Sequence, residues 1–108
     1  MTLIRTVNSL ADLRLDYIFK TFGKEAQVRK LVEETTELAK AAEDFAAGKD
    51  TARHVTEELA DVIIVASQLM DHGVLSKTDY YRTKAKKIRR TVGRIRSGYY
   101  TKGGDTRG

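Results

Sequence analysis

The sequence predicts an all-α protein, an antiparallel bundle of about four helices that assembles as an oligomer. The chain of 108 residues contains no proline, so no predicted helix is interrupted by one. Its apolar residues recur at helical spacing, and no stretch alternates as a strand would. Glycine and small polar residues divide it into four such segments. A content of 41% apolar and 32% charged residues is typical of a globular chain rather than a disordered one.

The first two helices are predicted from capping residues and glycines. Asn8 and Ser9 are suitable N-caps for a first helix, which should run to about Phe22 and stop at Gly23. The second helix should run from about Lys24 to Ala47.

The third and fourth helices also begin at capping residues. Asp50 or Thr51 can cap the third helix, which should reach about Asp71. Ser76 can cap the fourth, which should reach about Ser97. Because the connections are short, neighbouring helices should be antiparallel.

The second and third helices each carry an apolar stripe. A helix advances about 100° per residue, and the second helix gathers these side chains within about 100° of arc: Val28, Leu31, Leu38, Ala42 and Phe45. The third has a wider stripe, made of Val55, Leu59, Val62, Ile63, Ala66, Leu69 and Met70. Helices this apolar in so short a chain predict a homodimer or a dimer of dimers.

We expect one helical domain over residues 1–97 and a flexible basic, glycine-rich tail over residues 98–108.

The charge is distributed unequally along the chain. Residues 1–81 hold 10 Lys and Arg against 14 Asp and Glu, a net charge of −4. Residues 82–108 hold 10 Lys and Arg against one Asp, a net charge of +9. The basic segment should attract phosphate groups, on a nucleotide or on a nucleic acid.

Several classes of protein are excluded by composition. The chain has no cysteine, which excludes disulfides, thiolate metal sites and cysteine nucleophiles. Its longest dense apolar run is far shorter than the roughly 20 residues that a membrane span needs, and the N-terminus lacks the apolar core of a signal peptide. We therefore expect a cytoplasmic protein with no membrane partner.

Acidic residues cluster on both central helices. In the second, Glu34 and Glu37 are three residues apart, and Glu34 falls at the edge of the apolar stripe. In the third, Glu58 and Asp61 have the same spacing and also border apolar residues. Such carboxylates would repel one another unless a cation neutralised them, and oxygen ligands without His or Cys indicate Mg²⁺, with Mn²⁺ as the alternative. The competing interpretation is a pair of solvated helix faces.

These residues resemble a known family. The segments KLVEETTELAKAAEDF and EELADVIIVASQLM resemble the MazG-type, all-α nucleotide pyrophosphohydrolase superfamily, whose signature is Glu-Glu-x-x-Glu followed, after a spacer, by Glu-x-x-Asp. The resemblance covers roughly Thr21 to Met70 well and the fourth helix more loosely. The signature residues are Glu33, Glu34, Glu37, Glu58 and Asp61.

The resemblance implies a Mg²⁺-dependent hydrolase that cleaves the α–β phosphoanhydride of nucleoside triphosphates into a monophosphate and pyrophosphate. By motif position, Glu34, Glu37, Glu58 and Asp61 are the implied metal ligands, and Glu34 or Glu37 would also position or deprotonate the attacking water. A phosphoribosyl-ATP or dUTP-directed pyrophosphohydrolase would share this signature. The base pocket has no assigned residues, because the asparagine that many relatives carry in the basic helix is missing.

Basic residues near the acidic clusters are candidates for binding the substrate phosphates. Lys84, Lys87 and Arg90 recur every three residues along the fourth helix and form one ridge. Lys30 lies on the same side of the second helix as Glu34. Two alternatives remain: a non-catalytic nucleic-acid-binding protein that uses the basic helix, or a silent bundle that mediates assembly.

Overall fold

A computed structural model describes residues 13–101 of the chain. Its elements are α-helices, with one short 3₁₀ turn and no strand in this range, which confirms the predicted all-α fold. The elements are α1 (residues 13–22), α2 (Lys24–Ala46), α3 (Ala52–Asp71), α4 (Lys77–Arg96) and a 3₁₀ turn (Tyr99–Thr101). No helix in residues 13–101 has a stretch long and apolar enough to cross a membrane.

Local chemistry sets the ends of these helices. Gly23 separates α1 from α2 with a φ of 86°, a left-handed conformation that glycine adopts without strain. The Thr51 hydroxyl accepts the backbone N–H of His54 at 3.2 Å and caps α3. Ser76 caps α4 in the same way. The predicted boundaries are therefore accurate to one or two residues, while the predicted start of the first helix lies outside the described residues.

The described chain divides into two compact units between Leu75 and Ser76. The first unit contains α1, α2 and α3, and the second contains α4 and the 3₁₀ turn. One domain over residues 1–97 stays a prediction. Most of the predicted tail, residues 102–108, lies outside the described residues.

The first unit is built on a hairpin of α2 and α3, which pack along each other. Leu69 is completely buried, and Val65 and Ala41 are nearly so. On α1, Phe19 stacks on the ring of His72 with 4.0 Å between ring centroids, which joins the first helix to the end of α3. The small apolar core therefore lies between α2 and α3, beside α1.

The buried face of α2 differs from the predicted one. Val28 and Phe45, which the apolar stripe placed in the core, are 40% and 48% exposed. Gln27 and Glu34 are buried instead, at 5% and 6% exposure. The helix is thus turned by about 50° from the orientation that the apolar residues predicted. The predicted orientation was wrong because it counted only apolar side chains, whereas polar side chains of α2 also face α3.

Candidate metal centre

Three of the four predicted carboxylate ligands meet between α2 and α3. Glu34 and Glu37, one turn apart on α2, and Glu58 on α3 each offer an oxygen atom, and these atoms all lie within 4.8 Å of one another. Their exposure differs: Glu34 is buried, Glu58 is half-buried and Glu37 is exposed. The cluster therefore has a buried side formed by Glu34 and an accessible side formed by Glu37.

The two more buried carboxylates share one pattern of contacts. Oε1 of Glu34 accepts an ion pair from Lys30 Nζ at 3.1 Å, and Oε1 of Glu58 lies 3.2 Å from Nε2 of His54. Oε2 of both glutamates is buried and has no hydrogen-bond partner among residues 13–101. An unsatisfied buried carboxylate oxygen is costly. A hard divalent cation would satisfy both atoms, so the donor set fits Mg²⁺ or Mn²⁺.

The negative charges in this cluster act on one another. The pKa of Glu37 is raised above its ordinary value, first by the negative charge of Glu34, then by that of Glu58 and by partial desolvation. Three carboxylates at this separation are mutually unfavourable without a compensating positive charge. Binding of a cation between α2 and α3 would therefore relieve the electrostatic repulsion among these carboxylates.

Asp61, the fourth predicted ligand, does not belong to this group of three. It lies one turn after Glu58 on α3, is exposed, and lines a cavity that Glu34 also lines. A step of three residues moves a side chain about 60° around the helix and about 4.5 Å along it. Glu34 and Glu37 are separated by the same step, so the position of Asp61 beside the cluster follows from how α3 lies against α2.

The cavity next to the carboxylates has a volume of about 170 Å³. Its wall is largely apolar, with two buried amides, Gln27 and Gln68. The Oε1 atom of Gln68 is buried without a hydrogen-bond partner in the described chain. Sequence reasoning assigned no residues to such a pocket, although two glutamines beside apolar stripes were a usable signal. The lining residues are Ile18, Phe22, Gln27, Lys30, Glu34, Asp61, Ile64, Val65 and Gln68.

His54, on the first turn of α3, contacts one carboxylate of the cluster, although it was not among the site residues that the sequence predicts. Its Nδ1 atom lies 2.5 Å from Oδ2 of Asp50, and its Nε2 atom contacts Glu58. The hydrogen bond with Asp50 raises the pKa of His54, and the same bond, with a second from the Thr51 N–H, lowers the pKa of Asp50. The spacing of four residues from Asp50 to His54 and again to Glu58 was the available signal.

Comparison with known families agrees with this geometry. Residues 22–92 match the MazG nucleotide pyrophosphohydrolase domain, and this match covers more than half of the chain. The chain belongs to the MazG family. The resemblance seen in the sequence is thereby confirmed, and with it the enzyme class, since MazG proteins are nucleotide pyrophosphohydrolases, which act on acid anhydrides. Comparison with curated proteins and with solved structures gave no match.

The basic residues predicted to bind phosphate lie in two different places of this MazG chain. Lys30 lines the cavity and already pairs with Glu34. Lys84, Lys87 and Arg90 are exposed on α4, in the second unit, and the Nζ of Lys84 lies 6.0 Å from the centroid of the Tyr80 ring. Their contact with phosphate stays a prediction.

Proposed function

We propose that this MazG chain is a Mg²⁺-dependent nucleoside triphosphate pyrophosphohydrolase. It would cleave the α–β phosphoanhydride with water and give a nucleoside monophosphate and pyrophosphate. The observation that supports this proposal best is the meeting of three carboxylates between α2 and α3, two of which hold a buried, unpartnered oxygen. Phosphoanhydride hydrolysis needs such a constellation, because substrate and attacking water must be held where negative charge is compensated.

In this proposal Glu34, Glu37 and Glu58 hold the metal, and Asp61 completes the set from the edge of the cavity. A bound Mg²⁺ or Mn²⁺ supplies neutralisation of the phosphate charge and acidifies a water molecule. Lys30 keeps the buried Glu34 in place through its ion pair and can offer its remaining N–H groups to a phosphate oxygen.

One of the two α2 glutamates acts as the base. Glu37 is the more accessible to solvent, whereas Glu34 is buried and paired with Lys30. A carboxylate at Glu37 can orient a water molecule and accept its proton as the water oxygen bonds to phosphorus. The bridging P–O bond of the α–β anhydride then breaks, and its electron pair leaves with the departing product, which is pyrophosphate if the water bonds to the α-phosphorus and the nucleoside monophosphate if it bonds to the β-phosphorus.

The apolar cavity beside Glu34 is the available space for the nucleoside part of the substrate. Its wall of isoleucine and phenylalanine side chains suits an aromatic base, and the unpartnered Oε1 of Gln68 can accept a hydrogen bond from a base N–H group. Lys84, Lys87 and Arg90 remain proposed ligands of the outer phosphates. A homodimer or a dimer of dimers is the proposed assembly.

Pyrophosphate release from a panel of triphosphates tests the function. The panel includes dUTP and phosphoribosyl-ATP and is run with Mg²⁺, with Mn²⁺ and with EDTA. We expect release that requires the metal and falls at least about 100-fold in Glu34→Gln. Glu57→Gln is the matched control, because this carboxylate next to Glu58 lies outside the cluster and is mostly solvated. Equal activity of parent and Glu34→Gln would overturn the proposal.

A further inference from the structure

We propose that His54 is a positioning residue, which holds the Glu58 carboxylate in the orientation that keeps one of its oxygens within reach of Glu34 and Glu37. The inference rests on the proposed metal site. It assigns a role to a residue outside the acidic signature, and the geometry around the start of α3 supports it.

The imidazole of His54 is fixed on both sides. Its Nδ1 donates to Oδ2 of Asp50, while Oδ1 of Asp50 accepts the Thr51 N–H at 2.7 Å. The backbone N–H of His54 is itself held by the hydroxyl of Thr51, the N-cap of α3. The ring plane and the position of Nε2 are therefore set by the helix start rather than by solvent.

The fixed Nε2 atom in turn contacts one carboxylate oxygen of Glu58. It lies 3.2 Å from Oε1, which leaves Oε2 as the buried atom without a partner. Glu34 and Glu37 repel Glu58, so a freely rotating side chain would turn its charge away from them. The hydrogen bond from His54 opposes that rotation and keeps the third ligand of the cluster in place.

Electrostatics alone predicts the opposite effect for removal of His54. An imidazole that donates to two carboxylates carries positive charge, and a positive charge beside a metal site weakens cation binding. If the ring acted only through its charge, its removal would strengthen the binding of a dication. A positioning role predicts weaker binding, so the sign of the change separates the two explanations.

The test is Mn²⁺ binding to the full chain, followed by the electron paramagnetic resonance signal of the free ion. We expect His54→Ala to weaken the affinity by about tenfold, the lower end of the effect of losing a hydrogen bond to a metal ligand. His54→Gln, whose amide can still donate to Glu58, should recover affinity to within about threefold of the parent. Circular dichroism checks that each variant keeps its helices.

Arg53→Ala is the matched control. Arg53 precedes His54 on the same turn and also pairs with a glutamate four residues later, but that glutamate, Glu57, lies outside the cluster. Its loss should leave the Mn²⁺ affinity unchanged. If His54→Ala does not fold, Asp50→Ala can replace it in the test. This substitution removes the hydrogen bond that fixes the imidazole ring but keeps the ring itself. We expect it to lower the Mn²⁺ affinity by about threefold.

Two further results would overturn the proposal in distinguishable ways. A parent protein that binds Mn²⁺ and a His54→Ala variant that binds it equally well or more tightly would refute the role of His54 alone. A parent protein that binds no Mn²⁺ at all would refute the metal centre and, with it, the inference that rests on it.

Discussion

The Nζ atom of Lys30 lies 3.1 Å from Oε1 of Glu34, one turn further along α2. The side chain of Glu34 is 7% exposed and that of Lys30 is 51% exposed, so the lysine pairs its charge with a much more buried partner. The hydrogen bond with Glu34 also raises the pKa of Lys30. Lys30, predicted as a substrate ligand, thus already serves as the counter-charge of a metal-ligand candidate.

Lys30→Met should lower the melting temperature of the metal-free protein. Methionine keeps the length and apolar contacts of the stem but leaves the buried Glu34 carboxylate without its ion pair. Excess Mg²⁺ should restore part of the loss, because the cation replaces the missing positive charge. Thermal unfolding with EDTA and with Mg²⁺ measures both effects. Lys20→Met, which removes an ion pair to the less buried Asp16, is the control. A loss unaffected by Mg²⁺ would contradict this prediction.

Glu37→Gln should stabilise the metal-free protein at neutral pH while it abolishes activity. The substitution keeps the side-chain shape and removes one of three mutually repelling charges. In the parent, free Mg²⁺ at 100 times its dissociation constant should add about 2.7 kcal/mol of stability, and the variant should gain less. Denaturant unfolding with and without Mg²⁺ provides the comparison. Glu57→Gln, on the solvent side of α3, is the control and should not be more stable than the parent in EDTA. If Glu37→Gln is less stable than the parent in EDTA, the predicted repulsion within the cluster is wrong.

Asp50→Asn should destabilise the metal-free protein most in mildly acidic buffer. The pKa of Asp50 is lowered by the hydrogen bond from His54, so its contribution to stability is present above its ordinary value of 3.8 and is lost as the pH falls through the lower folded pKa. The pKa of His54 is raised by Asp50, so its contribution is complete below 6.5 and is lost as the pH rises through the higher folded pKa. Both contributions are therefore complete between these two ordinary values.

The free energy of unfolding of the parent and of Asp50→Asn, measured in EDTA at about pH 5 and at about pH 9, tests this pH dependence. The stability difference should be the larger at the lower pH, and NMR titration should show a lower pKa for His54 in the variant. Asp44→Asn, which removes an exposed pair with Lys40, should leave the His54 titration as it is. A difference of the same size at both pH values would mean that the two side chains are not coupled.

Ile63→Glu should dissociate the proposed homodimer. Ile63 and Leu59 on α3 and Val32 on α2 are large apolar side chains, and yet they are between 45% and 63% exposed. A charge placed in an interface at Ile63 should weaken association at least about tenfold. Light scattering during size-exclusion chromatography reports the mass. Arg53→Glu, at a position that is already charged and exposed, should keep the mass of the parent; a monomeric parent would refute the assembly.

The ends of the helices could be predicted because they depend on neighbouring atoms in the chain. Thr51 and Ser76 accept the N–H groups that their sequence positions assign to them, and Gly23 adopts the conformation that separates two helices. None of these features needs a distant residue. The orientation of α2 about its axis does need one, since Glu34 is buried where α3 packs along α2.

Part of the candidate site could likewise be predicted from local sequence, and part could not. The pairing of Glu34 with Glu37 follows from helical spacing, and both are found in the cluster. Whether Glu58 or Asp61 joins them depends on how α3 lies against α2, which sequence spacing does not contain. His54 was missed for another reason: its contacts are with two residues four positions away, Asp50 before the start of α3 and Glu58 one turn further along it, and neither forms a known signature with it.

The carboxylate cluster joins two helices whose connection is only five residues long, from 47 to 51. Without a cation the like charges of the cluster repel one another across the two helices, and a cation bound at the proposed site would remove that repulsion. A protease should therefore cleave the hairpin of α2 and α3 faster without a bound cation than with one, so chelation of the cation should increase cleavage. If the proposed metal centre is correct, the concentration of free dication would set the protein's resistance to proteolysis as well as its activity.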